Sequence, residues 1–266
     1  MGPEEIEVFS PAGGLTFFRL LSREEPWAVH VLQVDLSLCE LGLRVLPALP
    51  ERDGEPGRRR VTELVRGRPD VLAAVNGDFF TPEGLPLGTE VAEGRVVRRT
   101  RERPALSWRP RAEPWFGVPE LEGDSVLRLG WRMGLDGDDG GTEVVSGFPL
   151  LLLRGEAVGD LGVAERPSFA AARHPRTAVG YDGERRLLWL VVVDGRQEGY
   201  SDGMTLPELT TLLESLGARE AVNLDGGGSS VMVLGGMAVS RPSDEAGERP
   251  VANALGVRRD RSLCRR

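Results

Sequence analysis

The chain has 266 residues, enough for one large domain or two small ones, and 40% of them are hydrophobic, which supplies a core. The net charge of −8 argues against a nucleic-acid partner or an anionic membrane surface. All 33 cationic side chains are arginine. A GC-rich coding bias explains this more simply than selection for phosphate binding, although locally gathered arginines would still suit an anionic small substrate.

Cys39 and Cys264 are the two cysteines, widely separated, and neither a disulfide scaffold nor a cysteine-based zinc site is expected from them. The longest clean apolar run, 187–193, is far too short to span a bilayer. The opening residues have neither a basic region nor an apolar one, and Gly2 lacks a Ser or Thr at position 6. No signal peptide and no myristoylation are expected, so the chain reads as cytosolic; a trimmed export signal would leave the same picture.

In chain order, 16–46 predicts two or three strands, with 27–36 alternating as a half-buried one that contains a packed or edge His30. Residues 50–60 form a turn-rich charged loop whose arginine triplet, Arg58 to Arg60, reads as a solvated face. A short helix over 62–68 precedes a buried strand over 71–75, which ends in Asn76-Gly-Asp-Phe-Phe. Residues 81–135 are rich in Pro, Gly and Arg, with β-like pieces at 91–97, 105–108, 115–118 and 126–129. The acidic stretch 136–143 imitates a calcium loop but lacks the closing Glu at the right spacing, so a turn is expected. Next come a core strand within 144–153 and a hairpin of 177–181 with 187–193 around Asp182-Gly183. The clearest helix runs from an N-cap at Thr205 to a glycine stop at Gly217, with an apolar stripe of Leu206, Leu209, Leu212, Leu213 and Leu216. Strands outnumber helices and long loops join them, so the expected class is α+β: a single domain, 1–266, with a strand-rich mixed sheet.

The most unusual stretch is 220–234. An apolar run ends at Asp225, followed by Gly226, Gly227, Gly228, Ser229 and Ser230, before a second β-like run. Three glycines suit backbone that takes positive φ or lies flush against another group, and their amides with the serine hydroxyls would make a concave donor set for an anion. A Gly-rich hairpin with a solvated Asp is the plainer alternative. Asn76, Asp194 and Asp225 each end an apolar run before a glycine, which suggests polar groups converging on one rim of a sheet. With only His30 and His174, histidine-rich metal sites are excluded, and Ser229 lacks the G-x-S-x-G frame of a serine hydrolase. The glycine triplet is neither a P-loop, having no lysine after it, nor a dinucleotide fingerprint, since a strand follows.

Ordered motifs extend this picture: Val-Asn-Gly-Asp-Phe-Phe at 75–80, Gly-Phe-Pro-Leu-Leu at 147–151, His-Pro-Arg-Thr-Ala-Val-Gly-Tyr at 174–181 and Val-Val-Asp-Gly-Arg at 192–196. Ser-Asp-Gly-Met-Thr-Leu at 201–206, Ala-Val-Asn-Leu-Asp-Gly-Gly-Gly-Ser-Ser at 221–230 and Glu-Arg-Pro-Val-Ala-Asn-Ala-Leu at 248–255 follow. Together they resemble the phosphodiester glycosidase family over roughly 65–258. Asp78 departs from the pattern, since the family commonly has a glycine there, and 1–60 and 98–140 match poorly. The resemblance implies hydrolysis between a sugar anomeric carbon and a phosphodiester oxygen; no cofactor and no metal ligand are assigned, whether a metal assists stays open, and the net charge argues against a nucleic-acid partner. The substrate would be a small molecule or oligosaccharide bearing the phosphodiester, of the N-acetylglucosamine-1-phosphodiester or envelope-polysaccharide kind. A phosphate leaving group calls for cations and amide donors. Arg176 is the first choice and Arg249 the second, with Gly226, Gly227, Gly228, Ser229 and Thr177 completing the cradle. Asp225 is expected to face the sugar carbon, Asp194 to be its partner or orienter, and Asn76 to bind substrate or fix a carboxylate. A separation of about 5 Å between the two aspartates would favour a covalent route and roughly 6.5–9.5 Å a direct water attack. A carbohydrate-binding module on the same fold and a metal-dependent phosphodiesterase are the competing readings.

Overall fold

The computed structural model describes residues 3–48, 57–100, 103–110, 112–122, 125–128, 131–134, 141–159 and 167–264. The chain is strand-rich with few helices. An eight-stranded sheet runs in the order Glu5–Ala12, Leu15–Ser22, Trp27–Asp35, Leu187–Val193, Arg176–Asp182, Glu220–Asn223, Leu150–Leu153, Glu156–Ala157. A five-stranded sheet has the order Met237–Ala238, Met232–Leu234, Val71–Asn76, Asn253–Arg259, Leu41–Pro47. A second five-stranded sheet, Arg95–Arg98, Glu90–Ala92, Glu143–Ser146, Ala105–Trp108, Trp115–Gly117, closes one side, and Glu120–Glu122, Ser125–Arg128 and Trp131–Gly134 pair separately.

The expectation of a mixed sheet is corrected: the ladders of all four sheets are antiparallel. A parallel neighbour needs a crossover of a dozen or more residues. The one long helix, Leu206–Leu216, does lead from Leu187–Val193 to a strand of the same direction, Glu220–Asn223. Arg176–Asp182 lies between those two strands and pairs antiparallel with both.

Strand alternation divides the eight-stranded sheet into two apolar faces. Leu32, Val34, Val179, Leu190 and Val192 pack with Val45, Val75, Leu255 and Val257 of the first five-stranded sheet and with Leu106, Trp108 and Val145 of the second. Val29, Val31, Ala178, Val191 and Val193 meet Leu206, Leu209 and Leu213 of the long helix on the other face. Trp27–Asp35 is therefore almost wholly buried, where a half-buried strand was expected. Thr205 caps the helix as predicted: Glu208 N–H donates to its Oγ1 at 3.2 Å, Thr205 N–H donates to Glu208 Oε2 at 2.8 Å, and Gly217 stops the helix at φ 97°. The short helix Val61–Val65 covers the outer face of the first five-stranded sheet through Val61, Leu64 and Val65.

Other expectations change in detail. The piece at 91–97 is a hairpin, because Glu93 and Gly94 both take positive φ and turn the chain. The strand within 144–153 is two strands in different sheets, separated by Gly147-Phe148-Pro149. Glu5–Ala12, an exposed edge strand, carries too little burial to leave a pattern in the sequence. Residues 136–140 of the acidic turn lie outside the described residues. Glu143 from that stretch is a buried strand residue that accepts from the Val45 amide at 2.9 Å. Cys39 and Cys264 form a disulfide, with Cα atoms 5.0 Å apart, which corrects the expectation of none. Their 225-residue separation hid the pair, since the contact between the start of Leu41–Pro47 and the C-terminal turn is set by the fold.

Candidate active site

The site lies where the two large sheets meet at their strand tips. Asn76, the last residue of Val71–Asn76, is fully buried, and its amide joins three segments. Its Nδ2 donates to the Asp225 carbonyl at 2.6 Å, while its Oδ1 accepts from Thr177 Oγ1 at 2.7 Å and from the Val231 amide at 3.2 Å. The Asp225 amide donates to the Gly77 carbonyl at 2.9 Å. Asn76 and Thr177 thus hold the Asp225 backbone in place through an amide and a hydroxyl already engaged within the protein.

The three glycines have individual reasons. A Cβ on Gly226 would lie 2.8 Å from the Pro175 carbonyl oxygen, and Gly227 has φ +60°. A Cβ on Gly228 would collide with Asp244 Oδ1 and Arg249 Nη2. The expected cradle is narrower than predicted, because two of its amides point inward. Gly226 N–H donates to Asp225 Oδ1 at 2.9 Å and Gly227 N–H to the Pro175 carbonyl at 2.9 Å. The close approach serves instead to seat Arg249, which pairs with Asp244 through Nε–Oδ2 at 2.8 Å and Nη2–Oδ1 at 3.0 Å.

Asp225 is half-buried, and burial pushes its carboxyl up to about 6, against the pull of Ser229, the Gly226 amide and the Arg249 and Arg103 charges. Ser229 Oγ exerts that pull from a buried position and has no other partner. A second carboxyl stands beside it. Asp78 is buried, and that burial raises it to about 7, with the Asp225 charge adding to the rise. The Gly88 amide donates to its Oδ2 at 2.6 Å, and Asn253 Oδ1 accepts from its backbone N–H at 2.8 Å. Asn253 Nδ2 donates onward to Glu90 Oε2 at 2.8 Å, and burial holds Glu90 at about 7. Arg103, whose charge acts on both Asp78 and Asp225, lies over Phe79 at 5.4 Å and Phe148 at 5.6 Å. Phe169 joins these rings at 6.0 and 6.4 Å.

Two predicted residues are engaged elsewhere, Arg176 on the opposite face of the sheet and Asp194 with its own partners. Arg176 begins its strand on the helix-covered face, one position from the inward Thr177, and is 2% exposed. Its Nε donates to the Met204 carbonyl at 2.9 Å and its Nη2 to those of Phe169 at 2.7 Å and Ala172 at 3.0 Å, which corrects its expected place on a phosphate. Asp194 Oδ2 accepts from His30 Nε2 at 2.8 Å and Tyr200 OH at 3.0 Å, and its Oδ1 from the Arg241 amide at 2.9 Å. One strand separates the ends that carry Asp194 and Asp225, about 10 Å across the sheet. The carboxyl on which the Asp225 charge acts is Asp78.

The sequence matches the phosphodiester glycosidase family over residues 69–258. The chain belongs to that family. Among curated relatives it is 31% identical over 209 residues to the bovine N-acetylglucosamine-1-phosphodiester alpha-N-acetylglucosaminidase, covering 72% of this chain and 37% of the relative. Against the human enzyme of the same name it is 29% identical over 207 residues, 72% of this chain and 38% of that one. The chain thus spans less than two-fifths of the length of these relatives. Among solved structures, the zebrafish catalytic domain of that name, auto-inhibited by its pro-peptide, superposes with a TM-score of 0.70 at 23% identity, over 96% of this chain and 88% of that one. A hypothetical protein from Synechocystis superposes at 0.75 with 18% identity, over 96% of this chain and 64% of the other. These two likenesses establish the fold.

Within this family member, sequence reasoning did not assign Asp78, Arg103, Asn253, Glu90 or Asp244 to the site. Asp78 was signalled by its place in the Asn76 strand tip and by its departure from glycine. Arg103 sits in an arginine-rich stretch where nothing local separates it from its neighbours. Two cavities, of about 940 Å³ beside Trp115, Tyr181 and Glu220 and of about 640 Å³ beside Phe9, Val65 and Met237, lie away from Asp225. At the strand-tip site itself Phe79 and Phe148 are half-buried and the Arg249 side chain is 40% exposed.

Proposed function

We propose that this chain hydrolyses glycosyl phosphodiesters at the sugar C1–O bond, with Asp225 as the carboxylate that meets the anomeric carbon. The observation that carries the reading is a half-buried Asp225 held by its backbone between two sheets with two guanidinium charges acting on it, in a member of this family. The sugar carbon gains positive character as the bond breaks, and an adjacent carboxylate stabilises it, attacks it or activates water. The departing group is a phosphate monoester with a second pKa of about 6, so it needs cationic stabilisation more than a strong acid. Arg249 and Arg103 supply that charge in this reading, and Asn76 and Thr177 keep Asp225 on target. Arg176 and Asp194 support the surrounding loops. The relatives' names carry the finer proposal, an N-acetylglucosamine 1-phosphodiester as substrate.

Hydrolysis of a sugar 1-(nitrophenyl phosphate) in ¹⁸O-water tests the proposal. Label is expected in the sugar hydroxyl; label in the phosphate means P–O cleavage and overturns it. Asp225→Asn is expected to lower kcat by about 10²–10⁴-fold with the fold retained. Full turnover in that variant removes Asp225 from the chemistry, and binding without turnover by the wild type favours a carbohydrate-binding module.

A further inference from the structure

Two carboxyls beside one another are an awkward welcome for a phosphodiester, which is itself an anion. At the strand tips, the Asp225 charge raises Asp78 across Gly77, whose carbonyl accepts from the Asp225 amide at 2.9 Å. Glu90 stands behind Asp78 through Asn253, and Asp244 flanks the glycine loop. The cations are Arg103 over the two phenylalanines, Arg249 already paired with Asp244, and Arg196 beside Gly227. Fully ionised, the four carboxyls outnumber the three guanidinium groups at a site that has to admit negative charge.

Like Glu90, whose Oε1 is also buried without a hydrogen-bond partner, Asp78 is packed so as to keep a proton. Its Oδ2 accepts from the Gly88 amide at 2.6 Å, and Gly88 sits so close that a Cβ there would meet Ser146 and come within 3.0 Å of that oxygen. Its Oδ1 is buried without a hydrogen-bond partner. An ionised carboxylate with a bare buried oxygen is costly, whereas a neutral acid places an O–H there, ready to donate. Asp225 is the more exposed member and has the Gly226 amide and Arg249 to support its charge.

We propose that Asp78 is a positioning residue that stays protonated in the working site, so that its pair with Asp225 carries one negative charge and admits an anionic phosphodiester. The proposal rests on the phosphodiester glycosidase reading of the same site. The groups facing Asp78 are Asp225, Glu90, Arg103 and the neutral Asn253; the Asp225 charge disfavours its ionisation, and the Asp78 charge in turn raises Glu90. Burial puts its midpoint at about 7, so the neutral form dominates below that pH and is lost above it. Loss of the proton adds a second negative charge where the phosphate must sit.

The experiment measures KM and kcat for a sugar 1-(nitrophenyl phosphate) from about pH 6 to about pH 9 in the wild type, Asp78→Asn and Glu90→Gln. Wild-type KM is expected to climb about tenfold above neutrality while kcat changes less. In Asp78→Asn the climb is expected to vanish, because the amide mimics the neutral acid: its oxygen accepts from Gly88 and its NH₂ stands where the O–H would. Glu90→Gln is expected to keep the climb. A climb that survives in Asp78→Asn, or disappears in Glu90→Gln alone, overturns the role of Asp78. Should Asp78→Asn not fold, a flat wild-type KM over the same range overturns it equally. Absence of wild-type turnover on glycosyl phosphodiesters overturns the proposed function and this role with it, whereas turnover with a pH-independent KM removes only the role of Asp78.

Discussion

Arg176 and Thr177 are neighbours in the chain with opposite fates. Successive residues of a strand point to opposite faces. Thr177 therefore reaches Asn76 between the sheets, while Arg176 is driven under the segment around Phe169 and Ala172. Its guanidinium lies 5.3 Å from the Phe169 ring centroid, and burial and the nearby Arg196 charge lower its pKa to about 10. It supplies donors to the half-buried Phe169 and Ala172 carbonyls and a second donor to that of Met204, which also accepts from the His174 amide at 3.2 Å. Arg176→Met is expected to cost about 2–4 kcal/mol of stability in urea unfolding, with KM for the phosphodiester unchanged. Unchanged stability together with a raised KM would return Arg176 to the substrate.

At the scale of elements, the glycine triplet acts by what it lets approach. The single turn Gly227–Ser229 lies beneath the Asp244–Arg249 pair with no room for a methyl group at Gly228. Gly228→Ala is expected to displace Arg249 and lower kcat/KM by about 10²-fold, with the thermal midpoint changing by only a few degrees. Activity at the wild-type level in a folded Gly228→Ala protein would show that Arg249 need not sit there. The strand tips were readable because an apolar run that stops at a polar residue before a glycine is a local signal, and Asn76 and Asp225 do meet. Asp194 carries the same signal but ends a strand one position too far across the sheet, where His30, Tyr200 and the Arg241 amide occupy it.

Across the whole molecule, one core is shared by three sheets, and the Cys39–Cys264 bond fastens the C-terminal turn to the loop before Leu41–Pro47. Closing a loop of 225 residues restricts the unfolded chain, at most by about 5 kcal/mol in the chain-entropy picture. Reductant is expected to lower the denaturation midpoint of the wild type but leave that of a Cys39→Ser, Cys264→Ser double variant where it is. Identical oxidised and reduced wild-type midpoints would discard the bond as a stabilising link. By itself the sequence determined the strand-rich character, the capped helix Leu206–Leu216, the Gly-rich tip after Asp225 and the family, since each rests on periodicity, capping or motif order within short windows. Only the tertiary structure decided that the sheets are antiparallel, that the cysteines pair, that Arg176 faces away and that Asp78 stands beside Asp225. Each of those outcomes depends on strand order and on which face a side chain takes when separate segments of the chain come together, and no local pattern encodes that.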